Sequence, residues 1–310
     1  MQYLILIVGF ILLIKGADFF VDGSSGLAKR LKVPTMVIGL TVVAMGTSLP
    51  ETAVSVSASI AGKNDLSISN AVGSNLFNLM IVCGVCAIIA PMTIKRSTLK
   101  REFPFSLIAA AALLCFGVMG SQVNRLEGAV LLVLFVLFLI YTVAAAKRSR
   151  KSDMTEEVDD RIMEMWKCWL YIVLGGAAIA FGGRFVVNSS SEIARSFGIS
   201  ENVIGLTIVA LGTSLPELFT SIVAAKKGET DMALGNVIGS NIFNILFVLG
   251  IAATISPVSF LFNNLVDTIA LIAMTILTMI FCATKLKLVR WEGALMAAAY
   301  TGYIIYITMR

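Results

Sequence analysis

The chain has 310 residues, of which 58% are hydrophobic and 14% charged, with a formal charge of +5 and a mean hydropathy of +0.91. Soluble domains carry roughly 25% charged residues, so this composition excludes one and indicates an integral membrane protein. Histidine is absent, which removes the commonest catalytic base and proton relay, and the excess of Lys and Arg reads as a membrane-side bias rather than as affinity for nucleic acid.

The apolar segments are long enough for helices crossing a hydrocarbon core of about 30 Å and lack the short alternation of barrel strands. Ten are expected, at roughly 2–27, 34–61, 67–90, 103–120, 126–146, 168–195, 202–225, 231–255, 263–283 and 289–308. The first follows Met1-Gln2-Tyr3 with no positive leader and no small-residue cleavage site, so it is expected to be a span and not a removed signal. Within it Lys15 is expected to snorkel or to pair with Asp18. Asp18 and Asp22 are candidate pore-mouth carboxylates.

The second segment contains Gly46-Thr47-Ser48-Leu49-Pro50-Glu51, and the seventh repeats it as Gly212-Thr213-Ser214-Leu215-Pro216-Glu217. Pro50 and Pro216 predict helices broken near their middles, tolerated at membrane depth only where protein or a water-filled cavity covers the freed backbone. In the third segment Asn70-Ala71-Val72-Gly73-Ser74-Asn75-Leu76-Phe77-Asn78 matches Asn236-Val237-Ile238-Gly239-Ser240-Asn241-Ile242-Phe243-Asn244 of the eighth. Gly73 and Gly239 are expected to allow close helix approach. Glu127 and Glu292, before Gly at the starts of the fifth and tenth segments, are expected to cap helix N-termini.

The five cysteines (Cys83, Cys86, Cys115, Cys168 and Cys282) are expected to be small core residues. A lone C-x-x-C with no histidine in the chain is too little for zinc. Of the 24 Lys and Arg, 18 fall in the loops after odd-numbered segments, from Lys29-Arg30 to Lys285, Lys287 and Arg290, and 4 in the other loops and the C-terminus, which places the odd loops in the cytoplasm and both termini outside. The longest connection, 147–167, is basic and then acidic; it is expected to be a solvated linker between halves, since its carboxylates lack EF-hand spacing.

The matched motifs are separated by 166 positions, so the chain divides into 1–146, a cytoplasmic linker 147–167, and 168–310. Five spans in each half put the second half into the membrane from the opposite side. An all-α membrane fold of ten helices in two inverted-topology repeats is therefore expected, with a substrate site near the midplane between them.

Each Gly-Thr-Ser-Leu-Pro-Glu run combines hydroxyl, carbonyl and carboxylate oxygens. Thr47 and Glu51, and Ser48 and Glu51, are spaced to share a helix face, and Pro50 frees a carbonyl one turn back. Thr213, Ser214 and Glu217 repeat the set, with Ala210 matching Ala44. Hard cations such as Ca2+ take oxygen ligands at about 2.3–2.6 Å. Two carboxylates would be balanced by one Ca2+ or by two monovalent cations, and an empty site would repel itself. Ser74 with Asn78, and Ser240 with Asn244, offer further acceptors.

At these motifs the sequence resembles the cation/calcium antiporter superfamily, specifically the compact prokaryotic sodium/calcium exchangers. The resemblance covers almost the entire chain. It implies ion ligands at Thr47, Ser48, Glu51, Ser74 and Asn78, and at Thr213, Ser214, Glu217 and Ser240, with backbone carbonyls at Ala44 and Ala210. It also implies that the first and sixth spans form a tilted pair that slides across a core of the other eight. Asn244 stands where certain relatives carry Asp, which leans against potassium coupling.

The function expected is secondary antiport of Ca2+ against Na+ by alternating access, in the inner membrane, by a monomer embedded in lipid and needing no cofactor. Exchange coupled to H+ is the first alternative, a passive cation channel the remote one. The chain carries no nucleotide-binding motif, so enzymatic activity is not expected.

Overall fold

The computed structural model describes residues 1–152, 163–199, 208 and 210–309. The acidic run of the linker, Glu156 to Asp160, lies outside them. The helices are α1 (Gln2–Leu31), α2 (Thr35–Thr47), α3 (Leu49–Ile60), α4 (Asp65–Ile89), α5 (Arg96–Gly120, interrupted at Arg101), α6 (Arg125–Ser152), α7 (Met165–Ser196), α8 (Ala210–Gly212), α9 (Leu215–Lys226), α10 (Thr230–Ile255), α11 (Phe262–Lys285) and α12 (Arg290–Met309). Seven of these are long and apolar enough to cross a membrane, or eight if the bent pair α2–α3 is one span. Two of the ten expected segments are missing from that count. The seventh has 200–207 and 209 outside the described residues. The tenth, α12, is punctuated by Tyr300, Tyr303 and Tyr306 and is less apolar than the rest.

The breaks fall where the prolines dictate. Pro50 and Pro216 sit in the first turns of α3 and α9, and the residues before those helices, Ser48 (φ −87°, ψ 13°) and Ser214 (φ −90°, ψ 4°), leave helical geometry. Proline cannot donate to the carbonyl four residues back and its ring clashes there, so α2 and α3 meet at 48°. Each motif is thereby set at a bend with its carboxylate in the first turn of the following helix.

α4 and α10 form the interior, with 72% and 78% of their apolar stretches buried against 28–33% for the other unbroken spans. They cross through a reciprocal pair of amides. Asn75 donates to the carbonyl of Asn241 at 3.0 Å, and Asn241 donates back to the carbonyl of Asn75 at 3.2 Å. Both helices widen to a π turn, at Asn78–Val82 and Asn244–Val248, and α2 carries another at Gly39–Val43. Such turns are rare and concentrate at functional sites.

α1 and α7 pack along a glycine seam. A side-chain carbon at Gly16 would lie 2.9 Å from Ile179 N and 3.0 Å from Gly175 O, and one at Gly175 would lie 2.6 Å from Phe20 N. Gly9 meets Gly182, and Gly23 meets Cys168, in the same way. Glycine at seven-residue spacing lets the two backbones touch, the packing that drives helix association in lipid.

The all-helical expectation needs one addition. Four two-residue strands, β1 (Met92–Thr93), β2 (Gln122–Val123), β3 (Val258–Ser259) and β4 (Lys287–Leu288), pair antiparallel as β1–β4 and β2–β3. Each ladder therefore takes one strand from each half. Ile94 N to Leu286 O at 2.8 Å and Phe260 N to Ser121 O at 2.9 Å extend them.

Glu127 and Glu292 cap as expected, accepting from the backbone N–H of Asn124 at 2.8 Å and of Val289 at 2.9 Å. Four of the five cysteines are buried; Cys115 is exposed on a span. All five are free, and no cluster of potential metal-binding His, Cys, Asp or Glu occurs among the described residues.

Candidate ion-binding site

Glu51 and Glu217 have no solvent exposure. Glu51 Oε1 accepts from Ser74 Oγ at 3.4 Å and from Ser214 Oγ at 3.3 Å. Glu217 Oε1 accepts from Ser240 Oγ at 3.5 Å and from Ser48 Oγ at 2.7 Å. Each carboxylate thus takes one hydroxyl from its own half and one from the other, so the two motifs form a single crossed cluster. Thr213 lies beside Glu51, and Thr47 beside Glu217. Phe20, Gly46, Thr47, Pro50, Gly176, Ile179, Ala180 and Pro216 line a small cleft where α1 and α7 cover the two bends.

The second oxygen of each carboxylate, Oε2, is buried without a partner, and so are Asn78 Oδ1, Asn78 Nδ2 and Asn244 Oδ1. An unsatisfied buried polar group costs about 1–3 kcal/mol, and more when charged. Two buried carboxylates cost far more unless something positive meets them. No lysine or arginine pairs with either among the described residues. The donor set is carboxylate, hydroxyl and amide oxygen, which suits a hard cation. Ca2+ or Na+ would here be cargo.

The remaining expected ligands stand as follows. Thr47, Ser48, Ser74, Ser214 and Ser240 are all buried. The carbonyl of Ala44 accepts from Ser48 N at 3.1 Å and lies 3.3 Å from Thr47 Oγ1, whose single proton has Asn236 Oδ1 as a nearer acceptor at 3.1 Å; with that proton on Asn236, the carbonyl keeps a lone pair for an ion. Asn244 uses its Nδ2 to reach Asn75 Oδ1 at 3.1 Å, which leaves Oδ1 free. Ala210 opens α8, at the edge of the described residues. Lys15 pairs with Asp18 at 3.8 Å; Asp18 and Asp22 are held by Lys227, away from the carboxylate cluster.

A supporting layer, not evident from the ligand motifs alone, lies behind the carboxylates. Asn70 Nδ2 donates to the carbonyl of Glu51 at 3.2 Å and to Ser55 Oγ at 3.0 Å. Asn236 Nδ2 donates to the carbonyl of Glu217 at 3.4 Å and to Ser221 Oγ at 2.9 Å, and its Oδ1 accepts from Thr47 Oγ1 at 3.1 Å. These amides fix the turn that carries each carboxylate. The signal was present, because Asn70 and Asn236, like Ser55 and Ser221, recur at the same spacing as the glutamates.

Gly239 supports the expected close approach: a side-chain carbon there would lie 2.7 Å from the Cα and carbonyl oxygen of Leu40 and 2.8 Å from Ala44 Cβ. Nothing described lies within 4 Å of such a carbon at Gly73. The residue at the matching spacing from Leu40, position 206, lies outside the described residues.

The chain is similar to known proteins over most of its length. The sodium/calcium exchanger protein family matches residues 1–144 and 167–309. The sodium/calcium exchanger MaX1 of Methanosarcina acetivorans is 34% identical over 99% of this chain and 98% of its own. The inner membrane protein YrbG of Escherichia coli is 38% identical over 82% of this chain and 79% of its own. A solved structure of the sodium-calcium exchanger NCX_Mj superposes with a TM-score of 0.87 at 33% identity, covering 98% of this chain and 97% of that one.

Proposed function

The chain belongs to the sodium/calcium exchanger protein family, and from that premise we propose that it is a secondary antiporter moving Ca2+ against Na+. The observation that carries the reading is the crossed carboxylate cluster. Two buried glutamates from separate bends each accept a hydroxyl from the other's motif, keep free oxygens and, among the described residues, lack a protein cation. One Ca2+ or two Na+ would neutralise the pair, and the two loads would compete for the same oxygens. Since an unoccupied pair of charges is costly in a low-dielectric interior, crossing between access states is favoured only when loaded, which is the physical basis of exchange.

In this reading the ligands are Thr47, Ser48, Glu51, Ser74 and Asn78 with the Ala44 carbonyl, and Thr213, Ser214, Glu217, Ser240 and Asn244 with the Ala210 carbonyl. Ten spans form two inverted repeats, 1–146 and 168–310, joined by a cytoplasmic linker at 147–167. The protein sits in the inner membrane with both termini outside. The glycine seam makes α1 and α7 one rigid unit, suited to sliding across the bends so that the cleft opens to one side and then the other.

The deciding experiment is radiolabelled Ca2+ flux in proteoliposomes with Na+, K+ and H+ gradients imposed separately. Uptake should follow the Na+ gradient alone. Uptake that follows only the pH gradient would establish H+ coupling through the same two glutamates. Flux with no counter-ion requirement would indicate a channel.

A further inference from the structure

The halves match at the carboxylate cluster but not at the ends of the two long helices. On α1, Asp18, Asp22 and Ser25 lie on one face at helical spacing and meet the turn Lys227–Glu229 between α9 and α10. Lys227 Nζ lies 2.8 Å from Asp22 Oδ1, 3.4 Å from Asp18 Oδ1 and 3.1 Å from the carbonyl of Asp18. Ser25 Oγ donates to Glu229 Oε1 at 2.6 Å. The turn is continuous with both helices that carry the second-half ligands, Glu217 on α9 and Ser240 on α10.

The equivalent positions of the other half, 166 residues away, cannot form this contact. Arg184 replaces Asp18, Asn188 replaces Asp22, Ala61 replaces Lys227 and Lys63 replaces Glu229. Arg184 and Lys63 would bring two cations together. Ser191, the counterpart of Ser25, is buried with no partner for its hydroxyl. Among the described residues no ion pair joins α7 to the turn 61–63.

We propose that Lys227, with Asp18, Asp22 and the Ser25–Glu229 contact, is a one-sided latch that ties the moving helix α1 to the ion-binding helices and biases the exchanger against opening at that face. The inference rests on the alternating-access reading above. A two-fold symmetric device would populate its two access states equally. The latch breaks that balance at the face bearing the turn, which is the cytoplasmic one by the loop charges. Lys227 acts as a positioning residue: it touches no transported ion, and it sets which state waits for one. Because the three charged side chains are about a third to a half exposed, the bias is modest and weakens with ionic strength.

The test uses Ser24→Cys as a reporter in a protein whose five native cysteines are replaced. Ser24 is fully buried on α1 beside the latch. In proteoliposomes, labelling by a membrane-impermeant maleimide from the Lys227 face should rise roughly twofold to fivefold in Lys227→Ala. It should stay at the parent level in Lys227→Arg and return towards it in the charge-swapped Asp22→Lys/Lys227→Asp protein. Equal labelling in the parent and Lys227→Ala would overturn the latch. Ca2+ and Na+ added to the parent keep the two readings apart. If those ions change labelling but Lys227→Ala does not, the latch alone fails. If the ions change nothing, the alternating-access reading fails.

Discussion

Gly239→Ala tests whether the wall of the candidate site has room to move. The added carbon would stand 2.7 Å from the Leu40 backbone and 2.8 Å from Ala44 Cβ, where ordinary contact begins at 3.4 Å. The obstacle is mostly backbone, so α10 and α2 must part by about 0.7 Å rather than turn a side chain aside. Overpacking of this kind costs about 1–3 kcal/mol, and the better helix propensity of alanine returns up to about 1 kcal/mol. Net stability should therefore fall by about 0–3 kcal/mol. Ion binding should suffer more. The displaced segment carries the Ala44 carbonyl and Thr47, and a shift of that size is large beside ligand distances of about 2.3–2.6 Å. Half-saturation for Ca2+ should rise about tenfold, equivalent to about 1.4 kcal/mol. The assay is Ca2+ flux against concentration, with thermal unfolding in detergent alongside. Gly120→Ala is the control, because nothing described lies within 4 Å of its added carbon. If Gly239→Ala kept wild-type half-saturation, the geometry assigned to the Ala44 wall would be wrong.

Glu51→Gln and Glu217→Gln should each abolish Ca2+ flux in proteoliposomes while leaving the detergent-solubilised protein monodisperse; transport retained in either would refute a shared site. Asn236→Ala removes the amide that holds the Glu217 carbonyl, Ser221 and Thr47. It should raise the half-saturating Ca2+ about tenfold at nearly unchanged maximal rate, and an effect on rate alone would argue against a positioning role. Ca2+ at a hundred times its dissociation constant should stabilise the parent by about 2.7 kcal/mol, read as a rise in unfolding temperature that Glu51→Gln loses. Gly175→Ala drives a carbon to 2.6 Å from Phe20 N. It should lower the unfolding temperature and slow exchange together; full activity would mean that the seam between α1 and α7 is looser than the structure has it.

The large features were legible because each has a strong local cause. Apolar length marks spans, proline marks bends, and a carboxylate inside a span is costly enough to mark a site. The crossed serines could be anticipated only as an inventory, because which hydroxyl meets which carboxylate depends on how the two bends face one another. The π turns at Asn78 and Asn244 had no local signature in side-chain pattern. Asn70 and Asn236 were visible as repeated letters, yet nothing in their spacing separated a packing amide from one that holds the Glu turn. The Lys227 contacts were invisible for another reason: Asp18 and Lys227 are 209 positions apart, and their meeting depends on where α1 docks.

The paired strands carry a consequence for synthesis. β1 and β2 are made early, but their partners β4 and β3 lie more than 130 residues further on. Until then the first half carries strand edges with no hydrogen-bonding partner, and Glu51 lacks the Ser214 hydroxyl. The nascent half is thus incomplete by construction: a chain halted after α6 leaves β1 and β2 without their partner strands and Glu51 without one of its two hydroxyl donors. The halves are therefore joined at these three places, two ladders and one buried cluster, each of which needs residues from both.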